Sequence, residues 1–86
     1  MMFYVYVLQC EQAPDQFYLG ATGDLKRRLR EHNQPHKGFT TGHLWRLVYY
    51  EAYLSKAAAF DRERRLKRNA RMRQFLLDRV QASLEG

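Results

Sequence analysis

From Phe3 to Gln9 almost every position is apolar or aromatic. In an extended chain Phe3, Val5 and Val7 fall on one side, and Tyr4, Tyr6 and Leu8 on the other. A strand apolar on both sides is predicted to lie in the middle of a sheet, covered above and below. The polar break Glu11 to Gln16, with Pro14 and Asp15, predicts a loop. Phe17-Tyr18-Leu19-Gly20 then predicts a short returning strand, antiparallel to the first. Asp24 is placed to cap a helix running to about Asn33, with Leu25 and Leu29 as its buried stripe and Pro35 as its stop. His36 to His43, containing Gly38 and Gly42, reads as a loop. Leu44 to Tyr53 predicts a third strand, with Trp45, Leu47 and Tyr49 on one face and Val48 and Tyr50 on the other. Ser55 can cap a second helix from Lys56 to about Arg68. Asn69 can cap a third, which carries Met72, Phe75, Leu76, Val80 and Leu84. The order is β-β-α-β-α-α, which predicts an α+β fold: a three-stranded antiparallel sheet flanked by helices.

Length limits this picture to one domain, residues 1–86, with one modest core. Aromatic residues make up 14% of the chain, enough for a few large side chains to fill it. The single cysteine, Cys10, excludes an intramolecular disulfide and a cysteine-rich zinc site. The apolar stretch Met1 to Leu8 has no basic flank before it, so no signal peptide is expected, and no segment has the length of a membrane span. A reducing, cytoplasmic setting is the simplest expectation.

Charge sharpens the picture. The formal net charge is +6. Between Ser55 and Arg73 eight Lys or Arg stand against two acids, Asp61 and Glu63, a surplus equal to that of the whole chain. Such clustering suits a phosphate backbone better than a merely solvated face or an acidic membrane surface.

Three groups of residues carry candidate chemistry. Arg28 and His32 lie four apart on the flank of the Leu25/Leu29 stripe, which makes them candidates for a half-buried position over the sheet edge, the alternative being that Arg28 only covers apolar surface with its stem. Arg27 and Arg30 fall farther round, toward solvent. On the second helix Glu63 falls between Ala59 and Leu66 on one side and Phe60 on the other. A carboxylate there is costly unless paired. A metal ion, a buried base, or a plain i, i+4 pair with Lys67 would each explain it. Tyr4, Tyr6, Tyr49, Tyr50 and Tyr53 suit sheet packing. Tyr18 is more suggestive, because Gly20 close behind it lets backbone or substrate approach.

In order, these motifs resemble the GIY-YIG nuclease superfamily, in its small single-domain bacterial branch. Tyr4-Val5-Tyr6 stands where the family has Gly-Ile-Tyr, and Tyr18-Leu19-Gly20 where it has Tyr-Ile-Gly. Ala21-Thr22-Gly23-Asp24-Leu25, then Arg28 and His32, follow with the family's spacing. Leu47-Val48-Tyr49-Tyr50-Glu51 and Arg62-Glu63-Arg64-Arg65-Leu66-Lys67 look like its later blocks. The likeness runs from Phe3 to about Leu77. One departure stands out: Tyr4 replaces the first glycine, an aromatic-leading version found in the small branch, and its ring is expected to narrow or reshape the cleft.

The resemblance implies a metal-dependent endonuclease hydrolysing DNA phosphodiesters, in repair or in processing of abnormal structures. It implies that Tyr6, Tyr18, Arg28 and Glu63 meet in one cleft, with His32 matching a histidine some members use for proton transfer or positioning. Glu63 would hold one Mg²⁺ or Mn²⁺ ion, Tyr6 or Tyr18 would help deprotonate water, and Arg28 would grip a phosphate oxygen. A phenol in that role needs a nearby cation to stabilise its anion. Arg27, Arg64, Lys67 and Arg68 are the expected backbone contacts. Nucleic acid is the expected partner, DNA ahead of RNA, with no membrane. At this length no attached DNA-binding domain is expected, so specificity would come from a protein partner or a homodimer. The competing readings are a non-catalytic nucleic-acid-binding module and a protein-interaction domain whose basic helix docks on an acidic partner.

Overall fold

The computed structural model describes residues 1–34 and 43–86. Its elements are β1 (Phe3–Cys10), β2 (Phe17–Thr22), α1 (Leu25–His32), β3 (Trp45–Tyr53), α2 (Lys56–Arg68) and α3 (Ala70–Glu85). The strands form one antiparallel sheet in the order β2-β1-β3. Both the α+β class and the element order are those the sequence predicts.

The two-sided apolar pattern of β1 explains its central place. Val5 and Val7 are fully buried against Ala59 and Leu66 of α2 and Leu76 and Val80 of α3. On the opposite face Leu8 and Cys10 pack with Trp45, Tyr18, Leu29 and Leu47. Burying a Val or Leu side chain is worth about 1.5–3 kcal/mol, so these few residues dominate the stabilisation of the sheet. The α2–α3 layer closes one face and α1 covers the other.

Local chemistry ends the helices as expected. Asp24 Oδ1 accepts from the Arg27 N–H at 3.0 Å, Ser55 Oγ from the Ala58 N–H at 3.1 Å, and Asn69 Oδ1 from the Met72 N–H at 3.0 Å. At the other end of α1, Asn33 clips the helix to the start of β3. Its Nδ2 donates to the Trp45 carbonyl at 2.9 Å, and its Oδ1 accepts the Trp45 N–H at 2.7 Å. Pro35, and the expected loop apart from His43, lie outside the described residues.

Two details differ from the sequence reading. β2 runs to Thr22 rather than stopping at Gly20, because Ala21 and Thr22 still pair with Val5 and Tyr4. In β3 the alternation breaks. Val7 pairs with Tyr49 and Leu8 with Leu47, which leaves Val48 as an extra residue in a bulge. Tyr49 therefore does not share a face with Trp45 and Leu47. It joins Val48 on the α2–α3 side.

Candidate active site

Tyr6 sits in the centre of the sheet, paired with Gly20 on β2 and Tyr50 on β3. It is only 2% exposed. Its ring lies over Gly20, where a Cβ would meet Cζ at 2.6 Å and the hydroxyl oxygen closer still. Glycine is needed there for space. The ring lies nearly parallel to that of Tyr18, 6.4 Å away. His32, the last residue of α1, is buried beside both. Its Nε2 is 3.2 Å from the Tyr6 hydroxyl, and its ring is 4.4 Å from that of Tyr18. Trp45 closes the group with an edge contact to Tyr18 at 6.2 Å.

One turn before His32, α1 presents Arg28. Its Nε is buried without a hydrogen-bond partner among the described residues. Glu31 Oε1 is 3.4 Å away, within ion-pair reach but not aligned as an acceptor. A buried donor left in this state costs roughly 1–3 kcal/mol, which is understandable where a ligand is to be bound. From the far side, α2 brings Glu63 and Lys67. Lys67 Nζ is 3.0 Å from Glu63 Oε2 and 5.8 Å above the Tyr18 ring. The simple i, i+4 pair is therefore present, and it stands at the tyrosines.

Electrostatics ties the group together. Burial pushes the Tyr6 phenol well above its ordinary value, and Tyr18 adds to this; Arg28 opposes it, while Glu63 and Glu31 reinforce it. With Arg28 the only cation acting on it, desolvation is the larger effect and Tyr6 holds its proton. His32 moves the other way. Burial lowers it, Arg28 lowers it further, and Glu31 only partly compensates. A neutral imidazole thus faces a protonated phenol at hydrogen-bond distance.

The family model described as the GIY-YIG catalytic domain matches residues 2–75. The chain belongs to the GIY-YIG family. Among similar proteins are a UPF0213 protein from Haloquadratum walsbyi, 36% identical over 74% of this chain and 72% of its own length, and one from Streptococcus pneumoniae, 39% identical over 79% and 69%. The solution NMR structure of the UPF0213 protein from Bacillus halodurans is 32% identical, covers 93% of this chain and 85% of its own, and superposes with a TM-score of 0.55. A shorter match joins 34% of the chain, at 59% identity over 29 residues, to the structure-specific endonuclease subunit SLX1 of Meyerozyma guilliermondii, spanning 10% of that protein.

In this GIY-YIG chain Tyr6, Tyr18, Arg28, His32 and Glu63 gather around β1, β2 and the two flanking helices. Of the expected backbone contacts, Lys67 stands at the group and the others are paired or exposed on the helices. Arg27 is exposed and 3.5 Å from Glu31; Arg64 is exposed and bound to Asp61 at 2.8 Å; Lys67 and Arg68 are exposed on α2. Sequence reasoning missed Glu31, which holds Arg27 and Arg28 from one turn away; its i, i+3 and i, i+4 spacing was the available signal. It also missed the partnership of Glu51 with Arg62, which joins β3 to α2 next to Glu63. No group of three or more His, Cys, Asp or Glu residues placed to share a metal ion occurs among the described residues. Glu63 alone, with a side chain 22% exposed and one carboxylate oxygen paired to Lys67, fits an ion that keeps most of its water shell.

Proposed function

We propose that this GIY-YIG domain is a divalent-metal-dependent endonuclease that hydrolyses DNA phosphodiesters, acting on branched or otherwise abnormal structures in repair or processing. The observation that carries the reading is the Tyr6–His32 contact beside the Arg28 guanidinium, whose Nε makes no hydrogen bond among the described residues, and the Glu63 carboxylate. The likeness to a structure-specific endonuclease subunit supports DNA and supports a preference for structure over sequence.

Arg28 grips a non-bridging phosphate oxygen with its part-exposed guanidinium. Glu63 is the residue that would hold Mg²⁺ or Mn²⁺, which supplies positive charge against the phosphate and the leaving oxygen. Tyr6 takes a proton from the attacking water while its own hydroxyl proton passes to His32 Nε2. The oxygen of that water bonds to phosphorus as the bond to the leaving oxygen breaks. Tyr18 stacks beside Tyr6 and braces His32. Arg27, Arg64, Lys67 and Arg68 hold the flanking backbone without reading sequence. Specificity comes from nucleic-acid shape, with a protein partner or a second copy adding to it.

The test is cleavage of duplex, single-stranded, flapped and branched DNA and matched RNA, with Mg²⁺, with Mn²⁺ and with chelator. Metal-dependent product absent from Glu63→Ala is the expected result. Tight binding with no product under any condition would replace the enzyme with a binding module.

A further inference from the structure

Tyr4, the aromatic that replaces the motif's first glycine, has no part in the chemistry above. It stands two residues before Tyr6 on the same face of β1, about 7 Å along the strand. Tyr50 is the register partner of Tyr6 on β3. The Tyr4 and Tyr50 rings meet edge to face with centroids 5.8 Å apart. Tyr50 is 54% exposed, on the same sheet face as the site. Together with Gly23, Asp24, Leu25, Lys26 and Leu47 the two rings line a hollow of about 400 Å³.

An exposed tyrosine at this place needs an account. A ring set only to fill core would be buried, as Tyr6 is. We propose that this hollow is a nucleobase subsite: it receives one unstacked base from the strand whose phosphate lies at Arg28 and Tyr6. The occupant follows from continuity, because two of the residues that line the hollow adjoin Tyr6 in the sheet, Tyr50 opposite it on β3 and Tyr4 two residues before it on β1. It follows also from the lining. Aromatic faces stack any base, and Lys26 at the rim supplies a cation for the adjoining phosphate while Asp24 offers an acceptor. The volume lies within the ordinary range of small-molecule clefts. A base in a continuous duplex is not free to enter, so the subsite favours bulged, gapped or branched substrates. The inference rests on the nuclease reading for the identity of the strand, and it names the source of structural preference at that same site.

The experiment measures binding in chelator, where no cleavage occurs. Two DNA duplexes are compared, one fully paired and one with a single-nucleotide bulge carrying 2-aminopurine, whose fluorescence is quenched on stacking. Wild type is expected to quench the probe and to bind the bulged duplex more tightly. Tyr50→Ala is expected to lose the quench and about tenfold in affinity for the bulged duplex only, within the range for one base stacked on an aromatic side chain. Tyr50→Phe keeps both. Undiminished quenching and preference in Tyr50→Ala would overturn the subsite, as would equal binding of the two duplexes by wild type. A parallel cleavage assay in Mg²⁺ separates the two ideas. If stacking is lost in Tyr50→Ala but no DNA is cut by wild type, the nuclease reading falls and the subsite stands. If DNA is cut and Tyr50→Ala changes nothing, the reverse holds.

Discussion

Two clusters of tyrosine, arginine and glutamate sit on opposite faces of one small sheet, and they are bonded differently. On the α2–α3 side Glu51 is saturated. Arg62 Nε and Nη2 donate to its two oxygens at 2.9 Å each, the Tyr49 hydroxyl donates at 2.7 Å and the Tyr53 hydroxyl at 2.6 Å. Burial would raise this carboxyl, but Arg62, Tyr53 and Tyr49 together hold it down at about 2. Around Tyr6 the same residue types are less fully bonded: among the described residues Arg28 Nε makes no hydrogen bond and only a 3.4 Å contact with Glu31, and Glu63, reaching in from α2, has one ion pair, with Lys67. A closed network fixes a strand to a helix. An open one has capacity for a ligand. The difference lies in valence, not in composition, and the first cluster ties β3 to α2.

The sharpest way to break this comparison is at Arg28. Arg28→Ala is expected to cut about a hundredfold more slowly, roughly 3 kcal/mol by analogy with a lost oxyanion donor, with thermal stability no lower than wild type, because a buried donor without a hydrogen bond is removed. Steady-state cleavage beside a melting curve checks it. Glu51→Gln is expected to do the opposite. It weakens a half-buried charged network and should cost about 2–3 kcal/mol of stability, while cleavage per folded molecule at low temperature stays near wild type. Denaturant unfolding gives the number, and an unchanged midpoint would show that the network holds nothing. Gly20→Ala probes the Tyr6 side alone. Its Cβ collides with the Tyr6 ring, so activity should fall with a stability loss of about 1–3 kcal/mol.

Acid should separate the clusters more gently. Glu51 is depressed from 4.5 to about 2, so its stabilisation is complete above 4.5 and fades as pH falls from 4.5 toward 2. His32 is also depressed, so the folded state favours its neutral form. Its contribution is intact above the ordinary histidine value of about 6.5 and is lost below it. Cleavage should persist below 6.5 and weaken only where the folded imidazole itself takes a proton. Coincident losses would mean that unfolding, not His32, sets the acid limb.

How far the sequence disclosed this is clear from particular residues. Asp24, Ser55 and Asn69 announce their helices because a cap is a local event, three residues long. Arg28 and His32 were legible as candidates for a half-buried position from their spacing of four, and β1 as central from its two-sided pattern. The Val48 bulge was not legible, since strict alternation is what a strand reading assumes, and only pairing with Leu8 reveals the extra residue. Glu51 and Arg62 belong to different elements and meet only in three dimensions. The same is true of the desolvation that keeps the proton on Tyr6, which no neighbour along the chain records.

The most direct test sets Glu63→Gln against Glu51→Gln in one single-turnover assay with Mg²⁺ on branched DNA, each with its unfolding curve. The account expects a crossed result: Glu63→Gln folds like wild type and does not cut, whereas Glu51→Gln is less stable and, while folded, cuts normally. A Glu63→Gln protein that cuts at the wild-type rate would contradict it.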